Sequence, residues 1–403
     1  TVSATAWTAH LLPHPTGGEG YYPSMALYAG KPAVASIRFG GGSSDVQIAF
    51  SSTVVPGASG NWTGHTITSF TSGTGIDTSC DLEIHNGRLH VLFKDDTTNR
   101  LNIAVSTVTA PTIPTAANWT IHEVDATRAV AALRPAMTVY NNRLAVAYQD
   151  TTASDCMLAL ANVDPPSSSA DWTISTVEAT GTKGAHADIL SYDDGVNGPR
   201  LVVAHRNEGS FYAHLSRALT ATPTSPADWV SFDTIGDFGG RANSLAQTTR
   251  NGQPALAYVH LTWTPVGPVG IGCYLEVSTV PTFSSASDFL TLRLAPFTEN
   301  INQMHGTDVI NHNGKLIVAF YSNLAPGSSS TPSGHLGVAT ATTANFNSAS
   351  DFTVTYPDTT ADNTGFYPQL LSLPTGIPAV VHRYGGFVLD PQHGPKFQAN
   401  ACN

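Results

Sequence analysis

The hydrophobic pattern between Leu133 and Thr180 sets the rhythm of the chain. Four short apolar or alternating runs, Pro135–Tyr140, Leu144–Tyr148, Cys156–Ala161 and Trp172–Val177, are separated by turn residues. Runs of that length and alternation predict a four-stranded antiparallel sheet. The unit recurs along the whole chain. Its clearest marker is the aromatic that opens the fourth run: Trp7, Trp62, Trp119, Trp172, Trp229, Phe289 and Phe352, at spacings of 55, 57, 53, 57, 60 and 63 residues.

A second marker agrees with the first. The turn before the second run reads Ala29-Gly30, Asn86-Gly87, Asn141-Asn142, Asn197-Gly198, Asn251-Gly252, Asn313-Gly314 and Thr375-Gly376. Asn-Gly between alternating runs is a hairpin signal, because a type I′ turn needs positive φ at both central residues. The two markers are offset around the chain. The hairpin at Thr375 has no aromatic-led run after it, and the first run, Ala4–Leu12, has no hairpin before it.

These observations predict an all-β fold, a seven-bladed β-propeller of four-stranded antiparallel blades forming one domain over residues 1–403. Residues 1–12 supply the closing strand of blade seven, and 365–403 the remainder of that blade and a C-terminal tail. Closure of this kind leaves no long sheet edge exposed.

Composition narrows the partners. Only 12% of the residues are charged, lysine occurs five times and the net charge is −11, which argues against nucleic acid, since phosphate binding needs a cationic stripe. No run of 18 apolar residues predicts a membrane span. The chain begins at Thr1 without Met, so a processed, secreted and monomeric protein is expected. Asn61-Trp-Thr and Asn118-Trp-Thr are sequons compatible with export. Of the four cysteines, Cys80 and Cys402 are the expected disulfide, with Cys156 and Cys273 as buried thiols.

Candidate chemistry lies in the loops that differ between blades. The face bearing the hairpin turns is repetitive, with segments such as PPSSSADW at Pro165 and FSSASDF at Phe283. The opposite face is rich in His, Tyr and Arg. Five of the thirteen arginines, Arg38, Arg134, Arg206, Arg241 and Arg383, fall at strand ends expected around one channel mouth. Guanidinium is a two-pronged donor for carboxylate or sulfate, so the ligand suggested is an anion. Structural readings compete at several of these positions. His205 and His382 share a strand position with Phe93, Tyr148, Tyr258 and Phe320, which reads as core, and Tyr22 and Tyr367 precede prolines in a way that reads equally as packing. Phosphate-loop, HExxH and GxSxG motifs are absent, and the acids Glu19, Asp77, Asp95, Asp188 and Asp308 show no pairing logic.

Pro23-Ser24-Met25-Ala26, Gly30–Ser36, Ile48–Ser51 and Trp62 resemble the repeat of exported sialidase-like (BNR-type) propellers, and the resemblance runs through the whole chain. It implies the fold and leaves the activity open. In residue types and strand ends the chain also resembles propeller-type polysaccharide lyases acting on ulvan or rhamnose–glucuronate linkages. That resemblance implies a secreted, carbohydrate-active lyase that cleaves an acidic, uronate-containing polysaccharide by β-elimination. Its catalytic set would be His186, His205, His305 and Tyr367, and its substrate-binding set Arg206, Arg383, Arg241, Arg38 and Tyr22. No cofactor is required for that chemistry; a structural calcium or zinc stays open, with His205, His186 and His214 as a zinc cluster. The alternative is a non-catalytic, lectin-like or cell-surface binding propeller. The distinctive residues concentrate in blades four to seven, which favours one site over seven equivalent ones.

Overall fold

The computed structural model describes residues 7–12, 19–40, 42–71, 79–130, 134–210, 212–234, 241–262, 272–296, 306–322, 335–358, 364–384 and 394–400. The strands form seven antiparallel sheets of four. Six sheets use four consecutive strands, as in blade one: Glu19–Tyr28, Lys31–Gly40, Ser43–Ser51 and Trp62–Thr71. The seventh uses Thr364–Ser372, Pro378–Tyr384 and Gly394–Asn400, with Trp7–Leu11 beside the last of these. Trp7 stands opposite Asn400 and Leu11 opposite Lys396. The offset between the two sequence markers thus corresponds to a strand pairing. The protein is a seven-bladed β-propeller.

Burial on both faces explains the composition of the second strands. Leu201, Val202, Val203 and Ala204 are all fully buried, because each blade is covered by a neighbour on either side. Ile37 and Ile48 of blade one meet Leu82 and Val91 of blade two; Leu92 and Ile103 of blade two meet Leu144 and Met157 of blade three. Core of this kind supplies most of the stabilisation, at roughly 25 cal/mol per Å² of apolar surface removed from water.

Five hairpins carry the positive-φ pair expected of type I′ turns, for example Asn86 at 47° with Gly87 at 73°. At Asn197-Gly198 and Thr375-Gly376 only the glycine has positive φ, so these two turns are of another kind.

The repetitive outer segments form one recurrent corner. A short 3-10 turn such as Ala286–Asp288 precedes the aromatic of the fourth strand. The Asp288 carboxylate accepts hydrogen bonds from the Ser284 and Ser285 amides at 2.7 and 3.0 Å. Asp171, Asp228 and Asp351 make the same pair of amide contacts in their own blades. Two histidines serve this rim: the Trp62 indole N–H donates to His10 at 2.8 Å, and that of Trp119 to His65 at 2.9 Å.

Cys156 and Cys273 are buried thiols, as expected. Cys80 is buried too and sits at the start of an inner strand, where its thiol donates to the Tyr22 carbonyl at 3.2 Å. Cys402, its expected disulfide partner, lies outside the described residues. Among the described residues no helix is long and apolar enough to cross a membrane.

Candidate functional site

The first strand of each blade is the innermost, and one position on it recurs around the ring. Ser24, Asp81, Ala136, Asp188, Ser244, Asp308 and Gln369 stand opposite Ala35, Leu92, Ala147, Ala204, Val259, Ala319 and Val381. Inner-strand residues of all seven blades line a cavity of about 250 Å³, which therefore lies on the propeller axis.

The polar residues of this ring bind one blade to the next. Asp81 accepts from the Ser24 hydroxyl at 2.9 Å and from the Met137 amide at 2.7 Å, joining blades one, two and three. Asp188 accepts from the Leu245 amide at 2.6 Å. Asp308 accepts from the Ser244 hydroxyl at 2.6 Å and the Leu370 amide at 2.5 Å. The Gln369 side-chain oxygen accepts from the Met25 amide at 2.8 Å.

Carboxylates that converge on an axis away from bulk water resist ionisation together. Burial, then the charge of Asp81, pushes Asp188 up to about 7. Burial likewise pushes Asp308 up to about 6, and burial with Asp81 pushes Glu83 up to about 8. Arg134 is the cation set among them. Burial raises both Asp81 and Asp308; the hydrogen bonds they accept and then the charge of Arg134 oppose that rise, and Arg134, after Arg383, also acts on Tyr367.

The residue two places before the ring position also recurs around the ring; of these, Tyr22 and Arg134 line the cavity, while His186 and Tyr367 are buried beside it. Here four blades hold a non-glycine residue in the left-handed region: Tyr22 at φ 47°, Arg134 at 50°, His186 at 53° and Tyr367 at 50°. Such conformations cost of order 1–3 kcal/mol each and concentrate at functional sites. Blade six has Gly306 at this place, and a Cβ added there would come within 2.6 Å of the Tyr367 Cα. The Tyr22 and Tyr367 rings lie against each other with centroids 3.9 Å apart. Burial, with the Tyr22 phenol beside it, pushes the Tyr367 phenol well above its ordinary value, so it keeps its proton. His186 is buried, and its carbonyl accepts from the Asn243 side-chain amide at 2.7 Å.

Of the other residues singled out by the sequence, Arg383 stands beside the Tyr22–Tyr367 pair and its charge acts on Tyr367. Arg38 pairs across its own blade with Asp45 at 2.8 Å. Arg206 is 1% exposed and pairs with Glu208 at 3.0 Å. Arg383 is fully buried, 3.8 Å above the Tyr21 ring, and donates to the Tyr21 hydroxyl at 3.0 Å. Arg241 begins a strand, but its side chain lies outside the described residues, as does His305. The structure therefore gathers Tyr22, Arg134, His186 and Tyr367 at equivalent places on the inner strands.

His205 belongs to a second cluster, between blades three and four. Glu178 ends the last strand of blade three, while His205 and His214 lie on the second and third strands of blade four. One donor atom from each falls within 4.8 Å of the others. His214 Nε2 is 2.6 Å from Glu178 Oε2, and its Nδ1 is 2.8 Å from Asp233. The Lys183 ammonium is 3.0 Å from Glu178 Oε1. Burial alone would lower His214, yet Asp233 and Glu178 together hold it above its ordinary value. Burial would raise Glu178, but His214, His205 and Lys183 bring it down to about 2. Burial and the neighbouring His214 drive His205 down to about 3, so it is neutral. His186, expected in this group from sequence, is not part of it; Glu178 takes that place.

No protein-family model matches the chain, and no curated protein does. Solved structures do match. The polysaccharide lyase Uly1 aligns over 97% of this chain and 92% of its own at a TM-score of 0.51 and 10% identity. The intramolecular trans-sialidase from Ruminococcus gnavus aligns over 95% and 94%, at 0.48 and 13%. The α-L-arabinanase of Penicillium chrysogenum aligns over 79% and 91%, at 0.46 and 15%. The likeness is one of fold.

Proposed function

We propose that the protein is a carbohydrate-active enzyme working outside the cell, which cleaves a uronate-containing polysaccharide by β-elimination at the mouth of its axial cavity. The observation that carries this reading is Arg134. It lines the cavity in a left-handed backbone conformation, and its charge, with that of Arg383, acts on Tyr367. A guanidinium there neutralises the uronate carboxylate in a two-pronged contact and so acidifies the proton on the neighbouring C5.

The remaining steps fall to the mouth residues. The His186 imidazole takes the C5 proton, the released electron pair forms the C4–C5 double bond, and the C4–O bond breaks. The Tyr367 phenol, which holds its proton, donates it to the departing oxygen; Tyr22, whose tilted ring lies against it, fixes its place. Arg383 and Arg206 are each buried against their own partner. That a polysaccharide lyase, Uly1, is built on the same fold accords with the reading.

The test follows the ultraviolet absorbance of the unsaturated uronate product while the protein acts on a panel of uronate polysaccharides. Arg134→Met is expected to lower kcat/KM by about 10²–10³-fold, the usual cost of removing one stabilising donor from a developing anion. A flat trace for the unaltered protein, together with saturable glycan binding that Arg134→Met abolishes, would move it to the binding class.

A further inference from the structure

We infer that the cluster between blades three and four is a binding site for a divalent cation of the zinc type, held by Glu178, His205 and His214 and oriented by Asp233. The site is independent of the chemistry assigned to the axial cavity.

Donor set and geometry both favour this assignment. Two imidazoles and one carboxylate form a borderline N₂O set that suits zinc, and a fourth position is left for water. The three donor atoms already lie within 4.8 Å of one another without rearrangement of any strand. Opening the 2.6 Å contact between His214 Nε2 and Glu178 Oε2 by less than about 1 Å gives the separation of two donors placed ~2.0 Å from one tetrahedral ion. His205 Nε2, 3.7 Å from the same carboxylate oxygen, is near that separation already.

Asp233 is the more telling partner. It takes the Nδ1–H of His214 at 2.8 Å, which turns Nε2 inward toward Glu178, 2.6 Å away; a metal ion would replace the proton that Nε2 donates there. A carboxylate behind a histidine in this way fixes the tautomer and raises the basicity of a metal ligand. Lys183 is the competitor at this site. Its ammonium, buried with the side chain, sits 3.0 Å from Glu178 Oε1 and 3.5 Å from His214 Nδ1. The site thus already holds one cation, and a metal ion would compete with it.

The ligands come from two blades, so the ion would pin the last strand of blade three to the middle strands of blade four. This is a structural staple, whose effect is read in binding and in thermal stability.

The test uses the full chain, stripped with a chelator and titrated with Co²⁺ as a spectroscopic substitute for zinc. One equivalent of cobalt is expected to give the intense visible bands of a tetrahedral ion, Zn²⁺ to displace it, and the thermal midpoint to rise with Zn²⁺. Asp233→Asn, which removes no ligand, is expected to weaken binding about 10- to 100-fold. Lys183→Met, which removes the competing ammonium, is expected to tighten it. His214→Gln and Glu178→Gln should abolish the bands while circular dichroism shows the fold retained. Absence of the bands in the unaltered protein, their persistence in both ligand variants, or unchanged affinity in Lys183→Met would each overturn the assignment.

Discussion

Aspartate does two opposite things in this molecule. At the outer corners, Asp288 accepts two backbone amides and two hydroxyls at the rim of the blade, and those donors lower its pKa, the Ser284 amide first. On the axis, Asp188 also accepts backbone amides, yet it is pushed up to about 7. The hydrogen bonds are alike; the surroundings are not. The half-buried cap on the outer corner has no like charge beside it among the described residues, while the axial carboxylates, also half-buried, line one cavity and repel one another. A structural bond on the axis therefore carries an electrostatic cost that the same bond at the rim does not.

The sharpest way to separate the two regions is to remove one aspartate from each. Asp308→Ala leaves the Leu370 amide and the Ser244 hydroxyl without their acceptor between three blades, and is expected to cost about 3 kcal/mol. Asp288→Ala removes a cap and is expected to cost about 1 kcal/mol. Urea midpoints, read with unchanged slopes, decide the matter. Equal losses would erase the distinction.

A pH series sharpens it further. Asp188 has a folded value above its unfolded one, so the folded state binds the extra proton, and stability falls as pH rises from about 4 to about 7. Asp288 has a depressed folded value, so its contribution is present above its usual value and is lost only as pH falls below that. Asp188→Asn is expected to flatten the decline between these limits, and Asp288→Asn to leave it unchanged. Chemical denaturation at each pH provides the measurement, and an unflattened slope in Asp188→Asn would remove the axial half of the comparison.

The smallest effect concerns the mouth. His186→Asn keeps a residue that tolerates left-handed backbone, so the unfolding free energy from urea titration is expected to change by no more than ~0.5 kcal/mol while activity on the polysaccharide panel disappears. A large loss of stability would make His186 a packing residue like those of the outer corners.

Much of the propeller was legible because its signals are local. The aromatic rhythm from Trp7 to Phe352 and the Asn-Gly turns each sit within a few residues, and the blade is built from such short pieces. The site was legible only in part. Tyr22, His186 and Tyr367 stand out as residue types, and the structure sets them at equivalent places on the inner strands. The role of Arg134 depends on carboxylates from blades two and six, which no local pattern brings together. Arg383 reads as an exposed strand-end cation in sequence, yet its partner Tyr21 is 362 positions away. The axial ring had a signal that alignment of the blades exposes: Asp81, Asp188 and Asp308 occupy one register position in blades two, four and six. Glu178 was missed because its partners lie in the next blade, on strands 27 or more residues further along.

The pairing of the first strand with the last has a mechanical side. Trp7 lies opposite Asn400, so both outer ends of this ladder are at the same edge of the seventh blade. Tension applied at those two residues would open the pairing rung by rung, as a zip opens, rather than shear all five residue pairs at once. Along that direction the seventh blade yields to small forces, whereas load carried across the axial ring must break several charged hydrogen bonds together.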